Sequence, residues 1–272
     1  MNIAIVSPYG MSTIIFTKTL SYLLNEYGHK VFTISPENGY GSEIEQIKSE
    51  HFYTNFSLGY SPIKDFIHIF KIRKFLSKKK VDLLITFTTK PNIFTPAYLF
   101  ANNSISSLLA VRGLGRIYSP KNKNIISSFK IFLLDNLYKF ALIKTDCLWC
   151  TNYADKNYLE KLVIKKKLIS IVTKNSLDLN YYKRSKEITK KAKDLKIKFR
   201  LSNNCFIVLL VGRLIPQKGI NEFMKLSEIF EKKFRNKIHF LLIAPDEKNS
   251  KNSISIEKIV RHQNIFENFT WI

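Results

Sequence analysis

Cysteine is scarce in this 272-residue chain, with three residues, too few for a disulfide framework. Two of them, Cys147 and Cys150, form a CxxC within TDCLWCTN. A redox-active CxxC needs a helix start, where the thiolate is stabilised. This pair lies in an apolar, strand-like run, where residues three apart point to opposite faces. No second CxxC completes a zinc site. The pair is read as structural, and the chain as reduced and cytoplasmic. There is no run of about 18 apolar residues, so no membrane-spanning helix is expected. The N-terminus, MNIAIVSPYG, has no basic region, long apolar core or small-residue cleavage site, so no signal peptide is expected. No His-Glu-x-x-His or Ser/His/Asp arrangement occurs, and His29, His51, His68, His239 and His262 read as packed or surface residues. Acidic residues are also few: 21 Asp plus Glu against 44 Lys plus Arg, a formal net charge of +23. That imbalance predicts attraction to nucleic acid, an anionic membrane leaflet or phosphorylated ligands. Nucleic acid has only the charge in its favour, because helix-turn-helix, zinc-finger and RNP-like signals are missing, and it is not taken as a partner.

What is present is a hydrophobic content of 45%, enough for a sizeable core, arranged in alternating strand and helix patterns. Strands are expected at 2–7, 30–35, 52–56, 81–86, 106–111, 147–151 and 168–173. Helices are expected at 12–27, 43–48, 63–79, 92–101, 126–143 and 153–162. This βα alternation predicts an α/β fold with a parallel sheet covered by helices on both faces. After residue 175 the character changes to a basic, helical stretch, KRSKEITKKAKDLKIKFR. A second lobe follows, with strands expected at 205–211, 238–244 and from 269, and helices at 220–234 and 253–262. A doubly wound lobe normally has about six strands, so this lobe reads as partial. The expected division is 1–178, 179–202 as a basic linker, and 203–272.

The most informative stretch is VGRLIPQKGINEF, residues 211–223. It follows the apolar run CFIVLL, read as a buried parallel strand, and precedes a helix with Ile220, Phe223, Met224, Ser227 and Phe230 on one face. Ligands of open α/β sheets bind at the carboxyl ends of strands, near helix N-termini that favour anions. Arg213 and Lys218 place two cations at such a crevice, suited to a diphosphate; the competing reading is a solvated helix-start lysine and a salt-bridged arginine. Gly212 and Gly219 would allow close backbone approach.

Taken in order, these segments resemble the GT-B glycosyltransferases, in particular the retaining family 4-like enzymes that use nucleotide sugars in bacterial polysaccharide assembly. YGHKVFTISP (27–36) with the preceding strand and Gly10 turn resembles that family's first βαβ unit. VDLLITFTTKPNIFTPAYL (81–99) and LLAVRGLGRIYS (108–119) resemble its acceptor-side motifs, VGRLIPQKGINEF its donor-phosphate motif, and FLLIAPDEKN (240–249) the strand and turn that follow. The resemblance implies two Rossmann-like lobes, the first binding an acceptor and the second a nucleotide sugar, read as UDP-linked. Arg213 and Lys218 would neutralise the leaving diphosphate, which is electrostatic catalysis rather than proton transfer. Gly10, Gly212 and Gly219 would admit the donor phosphates. Lys90, Arg112 and Gly113, just after two first-lobe strands, would face the same cleft and contact the acceptor. Ordinary loop charge is the competing reading of Lys90 and Arg112. The chain has no Asp-x-Asp, in keeping with GT-B enzymes that hold the diphosphate without a metal. No metal and no cofactor beyond the co-substrate is expected.

The sequence also departs from the family pattern. Ile85 stands where the family often has a histidine, and Ser176 in KNSLDLNYY (174–182) stands where a glycine-rich turn is usual. The family's helix with paired glutamates would lie beyond Ile272, so a C-terminally truncated enzyme is expected, with an inactive remnant or partner subunit as the alternative. The expected acceptor is a polyprenyl-diphosphate-linked or other saccharide of cell-surface polysaccharide such as O-antigen or capsule. Residues 61–80, SPIKDFIHIFKIRKFLSKKK, put Ile63, Phe66, Ile67, Phe70 and Phe75 near one helix face among basic residues. That pattern suits either the interface of an anionic membrane or a sheet-covering helix. On the membrane reading the protein is peripheral, on the inner face of the cell membrane.

Overall fold

The structure, a computed structural model, describes residues 1–54, 61–100, 104–118, 125–163, 168–173, 179, 182–199, 201, 204–234, 237–245 and 253–272. Most of the KNSLDLNYY turn, the end of the strand expected at 52–56 and the end of FLLIAPDEKN lie outside the described residues. The chain divides into two compact units, Met1–Asp178 and Leu179–Ile272.

The first unit alternates β1 (Asn2–Val6), α1 (Gly10–Glu26), β2 (Lys30–Ser35), α2 (Gly41–Glu45), β3 (Glu50–Tyr53), α3 (Pro62–Lys78), β4 (Leu83–Phe87) and α4 (Thr89–Tyr98). It continues with β5 (Ser106–Val111), α5 (Ile125–Ile143), β6 (Cys147–Cys150), α6 (Tyr153–Glu160) and β7 (Ile169–Val172). The strands form a parallel sheet in the order β3-β2-β1-β4-β5-β6-β7. Strands flanked by helices on both faces must be apolar on both, which is why these runs are continuous rather than alternating. On one face Ile3, Ile5, Ile85 and Phe87 pack against Phe16, Leu20 and Leu24 of α1. On the other, Ala4, Val6, Ile34 and Leu84 meet Ile72 and Leu76 of α3 and Tyr98 of α4. The same face continues with Leu109, Val111 and Leu148 under Tyr138, Ala141 and Leu142 of α5 and Leu159 of α6.

The order reverses at β1, whose neighbours are β2 and β4. The chain therefore leaves adjacent strand ends toward opposite layers, opening a crevice at the carboxyl edge. Helix ends are set locally. Pro62 occupies the first turn of α3, Asn152 accepts the Asp155 N–H at the start of α6, and α1 closes on Gly28 at φ +77°. Helix α4 begins three residues earlier than expected, because Asn92, read as its start, is a buried packing residue in its first turns.

The second unit contains α7 (Lys186–Lys198), β8 (Phe206–Val211), α8 (Ile220–Phe234), β9 (Ile238–Ile243), α9 (Ile256–Ile265) and β10 (Phe269–Trp271). Its strands are parallel in the order β10-β9-β8. Its core joins Ile220, Phe223 and Met224 of α8 to Phe240, Leu242, Ile259 and Phe269, with Val208 and Leu210 at the margin. Strand β8 corrects an expectation: it is not buried. Phe206, Leu209 and Val211 are exposed, because among the described residues β8 is an edge strand with helices on one face only.

Candidate functional site

In the first unit the crevice edge is built from the residues that follow β1, β4 and β5. Helix α1 starts at Gly10, with the Ser12 hydroxyl donating to the Tyr9 carbonyl at 2.6 Å. A Cβ on Gly10 would lie 2.2 Å from the Glu37 carbonyl oxygen. The glycine is thus required by packing of the β1–α1 turn against the loop after β2, before any ligand is considered. Thr88, the residue between β4 and α4, sits at φ +72° and ψ 171°. That region is close to glycine-only and costs about 1–3 kcal/mol elsewhere, a form of strain found at ligand-binding edges. Sequence reasoning missed it, since threonine carries no signal for positive φ. Below Thr88 a buried network holds the start of α4. The Thr86 hydroxyl donates to Asn92 Oδ1 at 2.7 Å, and Asn92 Nδ2 donates to the Ala110 carbonyl at 3.2 Å.

Lys90 and Arg112 are expected to face one cleft, and the structure separates them across the sheet. The Lys90 ammonium pairs with Asp65 of α3 at 2.7 Å, both largely covered, and lies 5.7 Å from the Phe94 ring centre. Nearby, His68 Nε2 and the Tyr98 hydroxyl are 2.9 Å apart. Burial, reinforced by Lys90, lowers the His68 pKa to about 3, so it is neutral at physiological pH. Lys90 therefore ties α4 to α3, a role that needs no ligand. Arg112, the first residue past β5, lies on the α1 side. Its guanidinium stands 4.8 Å from the Trp149 ring centre, 5.0 Å from Phe16 and 5.5 Å from Phe87. Burial lowers its pKa, and the three π faces return part of the lost hydration. Gly113 beside it has φ +129°, so glycine is dictated there by the backbone. Each cation followed the layer that offered cover, which strand-end position alone does not reveal.

In the second unit the segment between β8 and α8 is a tight loop at the carboxyl end of β8. The Ile215 N–H donates to the Arg213 carbonyl at 2.7 Å, a 3-10 turn spans Pro216–Lys218, and Gly219 at φ +76° opens α8. Leu214 is fully buried, and its carbonyl accepts the Ile254 N–H at 2.7 Å, anchoring the loop. Arg213 and Lys218 are exposed on either side of that anchor. The first turn of α8, which carries backbone N–H groups without intrahelical partners and the positive end of its dipole, begins at Ile220, two residues after Lys218. Glu222 is the acidic residue of that turn. A Cβ on Gly212 would meet the Lys218 stem at 3.7 Å, an ordinary contact, so Gly212 is not sterically required. The loop thus presents two cations and a helix N-terminus, the elements of an anion site.

Elsewhere the cysteines are free. Burial raises the Cys150 thiol to about 12 and raises Cys147 as well, which keeps both protonated. Among the described residues no group of three or more His, Cys, Asp or Glu could hold a metal ion.

No family model and no curated protein matches this sequence. Solved structures do match its fold over the whole chain. A glycosyltransferase from Rickettsia africae ESF-5 is 17% identical with a TM-score of 0.68, and the match covers 100% of this chain and 67% of that one. UDP-GlcNAc 2-epimerase from Neisseria meningitidis, bound to UDP-GlcNAc, is 15% identical with a TM-score of 0.62, over 100% and 72%. A trehalose-6-phosphate structure from E. coli, bound with UDP-2-fluoro glucose, is 14% identical with a TM-score of 0.59, over 100% and 73%. Identities this low speak to architecture alone, and the architecture is the GT-B fold: two α/β units, each built on a parallel sheet.

Proposed function

We propose that this chain is a glycosyltransferase, moving a sugar from a UDP-sugar to a polyprenyl-diphosphate-linked or other saccharide acceptor in cell-surface polysaccharide assembly, with retention at the anomeric carbon. The observation that carries this reading is the β8–α8 loop, where Arg213 and Lys218 flank a buried anchor at the N-terminus of α8. As the acceptor oxygen attacks the anomeric carbon on the face the diphosphate leaves, the bond to the diphosphate breaks, its electron pair leaves with the nucleotide, and the hydroxyl proton passes to the departing phosphate oxygen. The two cations and the helix dipole stabilise that charge more in the transition state than in the ground state, which is the requirement for catalysis. No metal is needed in this scheme. On this reading the first unit receives the acceptor at the carboxyl edge of its sheet, by Thr88 after β4 and by Arg112 and Gly113 after β5. On this reading the enzyme works peripherally at the inner face of the cell membrane. In support, Ile63, Phe66, Ile67 and Phe70 of α3 are exposed, whereas Phe75 of the same expected stripe is core.

Calorimetric titration with UDP, UDP-N-acetylhexosamines and UDP-hexoses, in the presence of EDTA, tests the donor site. Arg213→Ala with Lys218→Ala should weaken binding by at least about tenfold, the worth of one or two charged hydrogen bonds. Undiminished binding in that variant would refute the assignment. Absence of any binding by the wild-type chain would favour the inactive remnant or partner-subunit alternative. A product that is the 2-epimer of the donor would move the chain toward the epimerase chemistry that the same fold also carries.

A further inference from the structure

Helix α5 exposes a broad apolar stripe that the fold does not use. Tyr138, Ala141 and Leu142 bury one side of the helix against β5 and β6. Ile126, Phe129, Phe132, Leu133, Leu137 and Phe140 lie on the other side and are 37% to 67% exposed. They recur at intervals of three and four, so they form one continuous face. Lys130 and Lys139 fall at its two margins. The acidic residue of this helix, Asp135, is turned away and accepts the Tyr118 and Tyr158 hydroxyls at 3.0 and 2.9 Å. Helix α4 packs against both α3 and α5, so the two outer helices share one layer of the first unit. The exposed half of α3 repeats the pattern, with Ile63, Phe66, Ile67 and Phe70 followed by Lys71, Lys74 and Lys78. These lysines border an open cleft of about 360 Å³ floored by Phe52 and Phe75, with Glu50 also in its lining. The acid of α3, Asp65, is paired to Lys90.

We infer that α5 and α3 together seat the first unit on an anionic lipid bilayer, with α5 as the principal anchor; this deepens the membrane-surface part of the function proposed above. Aromatic and aliphatic side chains flanked by lysines match the boundary between acyl chains and headgroups. Each lysine near an anionic leaflet adds to the attraction. Among the described residues no helix is long and apolar enough to cross a membrane, so α5 lies along the surface. A second copy of the chain is disfavoured as the occupant, because a self-complementary contact would bring lysine margins of like charge together in a chain of net charge +23.

The test is co-sedimentation of the whole chain with vesicles of phosphatidylcholine mixed with phosphatidylglycerol, and with phosphatidylcholine alone. Wild type should pellet with the mixed vesicles and be released by salt. The variant Phe129→Ser, Leu133→Ser, Phe140→Ser should bind at least about tenfold more weakly, while keeping its melting temperature and its UDP affinity. Lys130→Glu with Lys139→Glu should weaken binding to the mixed vesicles selectively. If the serine variant pellets like wild type while α3 variants do not, the α5 assignment falls and the membrane reading stands. If wild type ignores the mixed vesicles, both fall. If wild type sediments as a dimer that the serine substitutions dissociate, the stripe is a protein interface and the inference is overturned.

Discussion

The two sheets begin in the same way and end differently. Strand β1 and strand β8 are both apolar runs, each opens its unit's sheet, each feeds a helix that returns to a parallel neighbour, and each ends in a valine, Val6 and Val211. Yet Val6 is fully buried and Val211 is 67% exposed. The first unit continues on the far side of β1 with β4 to β7, and α3 and α4 cover the second face. Among the described residues of the second unit, nothing pairs with the outer edge of β8, and its helices pack on the Val208 and Leu210 side. The comparison teaches that an apolar run specifies a strand, while the layers placed around it decide how much of that strand leaves water.

Substitutions can break this comparison. The largest expected effect is Val6→Lys, which places an unpaired charge under α3 and α4 and should cost more than about 4 kcal/mol, unfolding the first unit. Val211→Lys should change stability by less than about 0.5 kcal/mol, since its side chain already faces solvent. Thermal melting with limited proteolysis of each unit distinguishes the two. An equally damaging Val211→Lys would show that this face of β8 is covered in solution.

A smaller effect contrasts the two loop glycines. Gly10→Ala must displace the Glu37 carbonyl and should cost about 1–3 kcal/mol, whereas Gly212→Ala meets only ordinary contacts and should stay within about 0.5 kcal/mol. Denaturant midpoints measure both. If the alanine at Gly212 abolishes UDP binding at unchanged stability, that glycine serves the ligand rather than the fold.

An effect that vanishes at neutral pH concerns acid stability of the first unit. His68 titrates near 6.5 in the unfolded chain and near about 3 when folded, beside Lys90, Asp65 and Tyr98. The unfolded state therefore binds the extra proton, so the stability His68 contributes is complete above about pH 6.5 and is lost as pH falls toward the folded value. The slope is at most about 1.4 kcal/mol per pH unit, or about 2 kcal/mol by about pH 5. His68→Gln should show a correspondingly smaller fall in melting temperature between neutral and acidic buffer. An unchanged fall would remove His68 from the account.

Much of the fold was legible because it is written at short range. The alternation of apolar runs with helical patterns, Gly28 closing α1 and Pro62 opening α3 are local signals of backbone geometry. The placement of the candidate site residues was legible in part. Arg213, Lys218 and Gly219 stand where the strand-to-helix handover places them, and Gly219 has the left-handed backbone that its identity suggests. Lys90 and Arg112 were legible as strand-end cations but not in their surroundings, because Asp65 lies 25 residues from Lys90 and Trp149 lies 37 residues from Arg112. Thr88 and the α5 stripe left no trace, since strain and exposure belong to the packed molecule.

The sequence by itself determined an α/β chain of parallel strands in two units and a cationic loop at the head of a helix. Hydrophobic periodicity, turn residues and charge act between near neighbours and need no partner to be read. Only the tertiary structure decided which apolar faces were buried, which cation received an acid and which an aromatic cage, and which helix was left facing outward. Those outcomes depend on what the rest of the chain brings to each surface, and burial and electrostatic screening are properties of that surrounding rather than of the residue.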